Sequence, residues 1–128
     1  DVYKRQVIAP LVDRGLGKDD CKAILMRAGI ELPLMYRMGY DNANCIACVK
    51  GGEGYFRAIR QDFPDQFEAL CVIQDELGTG SYLFRNRTTN VRFSLRELGD
   101  GPVRRNEKIP SCSFFCEIVE ADIIAKAE

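Results

Sequence analysis

The stretch Asn44-Cys45-Ile46-Ala47-Cys48-Val49-Lys50-Gly51-Gly52-Glu53-Gly54-Tyr55 constrains this chain more than any other. It places a Cys-x-x-Cys pair, a lysine and three glycines in one short segment. Two thiolates at this spacing can grip one metal ion or cluster, because the two residues between them let the chain turn and aim both sulfurs at one point. The glycines open backbone conformations that a Cβ forbids and bring N–H groups close to whatever sits there. A helical pattern begins directly afterwards, so its free N–H groups face the loop and favour an anion.

One such pair is a weak signal, but a second lies far downstream, Cys112 and Cys116 in Pro110-Ser111-Cys112-Ser113-Phe114-Phe115-Cys116. Two separated pairs are what a four-sulfur site needs, and such a site requires the C-terminal segment to fold back onto the loop. The structural alternative is a small apolar pair in a tight turn at Cys45 and Cys48, and packing on one helical face at Cys112 and Cys116. Four sulfurs hold zinc or a [4Fe–4S] cluster, and ligand softness alone does not decide between them.

The chain has six cysteines and no histidine. The missing imidazole removes Ser/His and Cys/His catalysis, histidine-containing zinc sites and the usual neutral-pH proton shuttle. No secretory pattern opens the sequence, so the close cysteine pairs point to a metal or Fe–S site in a reducing, cytoplasmic compartment rather than to disulfides. The 128 residues, 46% hydrophobic and 29% charged, describe one small globular domain or part of a larger one. A net charge of −1 gives no electrostatic case for nucleic acid or an acidic membrane. No apolar run reaches the length of a membrane span.

Hydrophobic periodicity supplies the elements. Residues 1–6, Asp1-Val2-Tyr3-Lys4-Arg5-Gln6, resemble a translated adaptor tail, which would make the chain a truncated piece; the alternative is an ordinary polar terminus. Residues 10–17 read as a turn-containing lead-in. A helix is expected over 18–28, with Cys21, Ile24, Leu25 and Ala28 as its buried stripe, Asp19 and Asp20 in its first turn and Gly29 at its C-cap. Pro33 begins a short helical turn through Tyr36. A helix over 54–63 carries Phe56, Ile59, Arg60 and Phe63 on one side. Pro64 then starts another, whose stripe of Phe67, Leu70, Cys71 and Leu77 ends at Gly78. The period then changes: 81–86 and 91–95 alternate and are rich in β-formers, with 87–90 as the turn of a hairpin. Residues 95–98 suit one helical turn, 99–110 are polar and irregular, and 117–127 have a helical pattern.

Lys50, Arg57 and Arg60 are the candidate binding residues for a phosphate or sulfate. Arg57 and Arg60 lie three apart and share a face if 54–63 is helical. The alternative is a solvated basic face paired with Glu53 and Asp62. Tyr36, Tyr40 and Tyr55 read as packing residues with a polar tip.

The run Gly29-Ile30-x-x-Pro33-Leu34-Met35-Tyr36-x-x-Gly39-Tyr40, leading into Cys45-x-x-Cys48, resembles the C-terminal half of the phosphoadenosine-phosphosulfate reductase family. Asn44 through Phe56 is similar to the phage and bacterial branch, and Arg57, Ile59, Arg60, Phe63, Pro64 and Phe67 continue the likeness. The Cys112/Cys116 tail also looks like that branch. The resemblance covers residues 8 to 120, and it is specific for the family and weak for the substrate. It implies an α/β parent fold of the adenine-nucleotide α-hydrolase-like superfamily, with a parallel sheet and a Ser-Gly-Gly-x-Asp-Ser loop for the nucleotide phosphates. That loop does not occur in this sequence. Residues 7–128 are therefore expected to be the C-terminal part of such a domain, mainly α-helical with a C-terminal β-hairpin.

Two departures bear on the activity. The sulfate-assimilation reductases end in a Glu-Cys-Gly-Leu-His tail whose cysteine attacks the substrate sulfur, and no such tail occurs here. The adjacent Cys-Cys pair of the iron–sulfur adenylylsulfate reductases is also missing, a place Cys112 and Cys116 would fill. What the resemblance implies is adenine-nucleotide-dependent sulfur transfer or adenylyl chemistry, with an adenine nucleotide or sulfonucleotide as partner. Cys45, Cys48, Cys112 and Cys116 would hold the cluster or zinc. The competing reading is a non-catalytic, metal-stapled binding module.

Overall fold

Prolines and glycines set the element boundaries. The computed structural model describes residues 8–109, which are mainly helical, with five α-helices and one two-stranded antiparallel sheet. α1 (Pro10–Asp13) opens on a proline, whose missing N–H costs nothing in a first helical turn. α2 (Lys18–Arg27) carries Asp19 and Asp20 at its start, where Asp20 accepts a hydrogen bond from the Gly17 N–H at 2.9 Å. It ends before Gly29, whose φ of +71° lies in the left-handed region that glycine enters without strain. α3 (Leu34–Arg37) follows Pro33, as expected.

α4 (Glu53–Asp62) and α5 (Pro64–Leu77) meet at Phe63, which caps the end of one and the start of the other. A 3₁₀ turn at Thr79–Ser81 leads to β1 (Phe84–Arg85), which pairs with β2 (Arg92–Phe93). The hairpin is present, but its strands are shorter than the alternation suggested, because Ser81 belongs to the 3₁₀ turn. The expected helical turn after β2 forms at Leu95–Glu97 and is capped by Ser94. Among the described residues no helix is long and apolar enough to cross a membrane.

The core forms along α4 and the first half of α5. Tyr55, Phe56, Ala58 and Ile59 are at most 1% exposed, and each large side chain so buried contributes about 1.5–3 kcal/mol. Aromatic rings run in edge-on or tilted contact through this core. Tyr40 meets Tyr55 at 5.9 Å, Tyr55 meets Phe56 at 5.6 Å, Phe56 meets Phe84 at 5.5 Å and Phe84 meets Phe93 at 5.6 Å. The ribbon therefore lays its Phe84/Phe93 face on the helices and turns Arg85 and Arg92 outward.

Two stripes differ from expectation. No residue of α2 is buried; Ile24 is 44% exposed, and Cys21 is only partly covered. The helix forms as its periodicity predicts, but among the described residues its apolar stripe is at most partly covered, at Cys21 and Leu25. It is held instead by Lys18, which donates to the Asp41 carbonyl and the Asn42 side chain, and by Lys18 and Lys22 over the Tyr36 ring. On α5 the buried set is Phe67, Cys71 and Gln74, while Leu77 is 69% exposed. At about 100° per residue, Gln74 lies about 20° from Phe67 around the helix and Leu77 about 80°. Gln74 is fully used: its amide donates to the Ser81 carbonyl at 3.1 Å and its oxygen accepts from the Leu95 N–H at 2.8 Å. Cys71 is core filler as expected, and burial pushes its thiol above the ordinary range.

The adaptor-like residues 1–6, the helical pattern at 117–127 and the Cys112/Cys116 pair lie outside the described residues.

Candidate functional site

The cysteine loop is built on the first turn of α4. Residues 45–48 form a turn closed by the Cys48 N–H donating to the Cys45 carbonyl at 3.0 Å, and the Gly51 N–H donates to the Cys48 carbonyl at 2.9 Å. Tyr55, 1% exposed, lies beneath: its hydroxyl donates to the Cys45 carbonyl at 2.8 Å. A Cβ on Gly51 would stand 2.3 Å from Tyr55 Cδ1, so a residue without a side chain is required at this close approach. Cys45 is exposed and Cys48 partly so. Burial, followed by the charge that Cys48 and Cys45 carry when ionised, pushes the Tyr55 hydroxyl up to about 12. The turn thus sets Cys45 and Cys48 three residues apart above the Tyr55 hydroxyl, which bonds the Cys45 carbonyl.

The donor chemistry fits half of a thiolate centre. Among the described residues no group of three or more His, Cys, Asp and Glu side chains is placed to hold a metal ion. Cys45 and Cys48 could supply two soft ligands, and a closed four-ligand site would take two more.

The N-terminus of α4 receives an anion, as the loop pattern suggested, and the chain supplies it. Glu107 Oε1 accepts from the Gly52 N–H at 2.6 Å. Glu107 belongs to an irregular strap, 98–109, that runs back along α4. The Arg104 N–H donates to the Gly54 carbonyl at 3.0 Å, and Ile109 is buried in the core. Arg105 makes two bonds of 2.7 Å to the Asp62 carboxylate, which also accepts from the Tyr40 hydroxyl at 2.8 Å. The Arg105 guanidinium holds Asp62 below the usual carboxylate range; burial opposes this and the Tyr40 bond assists it. Tyr40 is raised well above the ordinary phenol value, first by burial and then by its bond to Asp62. Tyr40 and Tyr55 are thus packing residues with a bonded polar tip, as expected.

The candidate anion-binding arginines hold this strap. Arg57 donates to the Gly99 carbonyl at 2.9 Å and to Glu53 at 2.7 Å. Arg60 donates to the Leu98 carbonyl at 2.6 Å and to Asp100 at 3.2 Å. The expected Glu53 pairing is present, whereas Asp62 pairs with Arg105 rather than with Arg60. Lys50 is partly buried beside the cysteine turn. Glu107, Arg104 and Arg105 carry the strap's attachments, and no period or motif in 99–110 marks them.

No family model, curated protein or solved structure matches this chain.

Proposed function

We propose that Cys45 and Cys48 are half of a four-sulfur centre completed by Cys112 and Cys116, holding a [4Fe–4S] cluster or zinc. The chain acts, in this reading, as the C-terminal part of a phosphoadenosine-phosphosulfate reductase-like protein of α/β parent fold. Its chemistry is adenine-nucleotide-dependent sulfur transfer or adenylyl transfer, with the nucleotide held by a phosphate loop that this sequence does not contain. Lys50, Arg57 and Arg60 are its proposed contacts to phosphate or sulfate.

The observation that supports the reading is the attachment of Glu107 to Gly52, which brings the chain leading to Cys112 beside the Cys45–Cys48 turn. Cys112 follows Glu107 by five residues, a length of chain that reaches up to about 17 Å. The hydrogen-bonded turn between Cys48 and Gly51 keeps the first pair well within that reach. A second support is the uncovered apolar surface of α1 and α2, where Val12 is 78% and Met26 66% exposed; an additional sheet-bearing domain would cover it.

A cluster at these sulfurs supplies electron or sulfur transfer, and zinc supplies a structural staple. This chain's own residues orient the first two ligands: Tyr55 fixes the Cys45 carbonyl, and Gly51 lets the loop lie on the Tyr55 ring.

The test is metal and acid-labile sulfide content of anaerobically purified protein, with Cys45→Ser as control. Iron with sulfide, lost in the variant, supports the cluster and a redox or sulfur-transfer role. Zinc without sulfide, also lost in the variant, makes the four cysteines a staple. Metal content unchanged in Cys45→Ser, or no metal at all, rejects the centre.

A further inference from the structure

Arg85 and Arg92 are register partners across the hairpin, and both are exposed on the face opposite Phe84 and Phe93. Like charges placed directly opposite destabilise a two-stranded ribbon. The pair lines an open cleft of about 630 Å³ at the hairpin surface, bordered by Glu53 and Arg57 of α4. This cleft runs into a neighbouring one of about 660 Å³ through Glu53, Arg57, Arg85 and Arg87, and Arg104 of the strap lines that second space.

The charges in this space are unequal in number and in satisfaction. Five arginines face three glutamates, and each glutamate has a partner within the chain. Glu53 pairs with Arg57 at 2.7 Å, Glu97 accepts from Ser94 at 2.9 and 3.0 Å, and Glu107 accepts from Gly52 at 2.6 Å. The arginines keep donors to spare. Arg85 uses one nitrogen on Asn90 Oδ1 at 3.0 Å, and Arg92 uses one on the Gly80 carbonyl at 3.4 Å. Among the described residues the Arg87 and Arg104 side chains form no ion pair or hydrogen bond.

We infer that this cleft binds a small molecule bearing a phosphate or sulfate group, its oxyanion bridging Arg85 and Arg92 beside Arg87, with Arg104 in the adjoining space. The forked guanidinium matches such an oxyanion with paired N–H donors. An anion between the two strands turns their mutual repulsion into attraction for the ligand. The volume falls within the roughly 300–1,000 Å³ of small-molecule sites. Neither Cys45 nor Cys48 lines the cleft, so this inference does not depend on the metal centre and survives that centre's rejection.

The experiment is titration of the full 128-residue chain with pyrophosphate, then with ATP in competition, followed by calorimetry and thermal melting. Saturable pyrophosphate binding that raises Tm is expected. Arg92→Gln should weaken that binding by about tenfold or more, since it removes charge-assisted hydrogen bonds. The same substitution should raise Tm without ligand, because it relieves the cross-strand repulsion, and this distinguishes a lost site from a damaged fold. Arg87→Gln, on the exposed turn, should weaken binding in the same direction. Tighter binding of ATP in competition assigns the cleft to a nucleotide's phosphate chain, and pyrophosphate binding without displacement by ATP assigns it to an inorganic or other phosphate. Absence of binding, or equal binding by the wild type and both variants, overturns the inference. So does binding of a short single-stranded oligonucleotide with none of pyrophosphate, which would make the cleft a groove for a nucleic-acid strand.

Discussion

The Glu107 carboxylate sits 2.6 Å from the Gly52 N–H, fifty-five residues earlier in the chain. This places a negative charge at the positive end of α4 and tethers the strap beside the cysteine turn. A charged acceptor there gains from both the short hydrogen bond and the helix dipole. Glu107→Ala should therefore cost about 1–2 kcal/mol of stability, read as a lower urea midpoint at constant slope. A midpoint equal to that of the wild type would remove the tether from the account.

Asp62 and Arg105 govern the acid limb. The Asp62 side chain is 9% exposed and held by two bonds from Arg105. Its folded-state pKa lies below its ordinary value, so its contribution is present above about pH 4 and is lost as pH falls through the folded value. Arg105→Ala should cost about 2 kcal/mol at neutral pH and flatten the loss of stability below about pH 4. An acid limb as steep in the variant as in the wild type would contradict the assignment.

Tyr55 and Tyr40, both raised above the ordinary phenol value, set the alkaline limb. The Tyr55 hydroxyl is pushed up to about 12 from an ordinary 10.0, so the folded state holds a proton that the unfolded state releases. That contribution is complete below pH 10 and declines as pH rises toward 12. Tyr55→Phe should lessen the alkaline decline, leaving the share due to Tyr40, and cost about 1 kcal/mol at neutral pH through the lost bond to the Cys45 carbonyl. Spectrophotometric titration of the tyrosines together with denaturation at pH 9 to 12 checks both effects.

Gly51 and Gly54 look alike in sequence and should respond differently to alanine. At Gly51 the new Cβ meets the buried Tyr55 ring at 2.3 Å, and that ring cannot move without opening the core. At Gly54 it meets Arg104 Cδ and Cγ at 2.9 Å and Cβ at 3.0 Å; the first two can rotate away, and the strap has to shift by only a few tenths of an ångström to relieve the third. Gly51→Ala should cost about 1–3 kcal/mol or more. Gly54→Ala should cost less than Gly51→Ala, since alanine's helix preference of about 1 kcal/mol offsets part of the strap's shift. Thermal melting of the two variants side by side decides; equal losses would show that the loop yields where Tyr55 holds it.

The elements themselves were readable. Pro64 and Gly78 bound α5, Gly29 ends α2, and the stripe of Phe56 and Ile59 sets the buried face of α4, because these effects act within one turn or one period. The hairpin register was readable too: a turn at 87–90 places Arg85 opposite Arg92, although the significance of that pair lay in the cleft. Leu77 and the α2 stripe misled because apolar character states a tendency to bury, while burial needs a covering partner.

Local sequence alone determined the helices, the hairpin, the cysteine turn and its glycines, since backbone preference and hydrophobic period need no distant partner. Tertiary structure decided where the polar strap 98–109 lies, which carboxylate reaches Gly52, and that Arg57 and Arg60 hold backbone carbonyls. Those contacts join residues some 40 to 55 positions apart. They rest on individual charged groups and carbonyls, which leave no periodic trace along the chain.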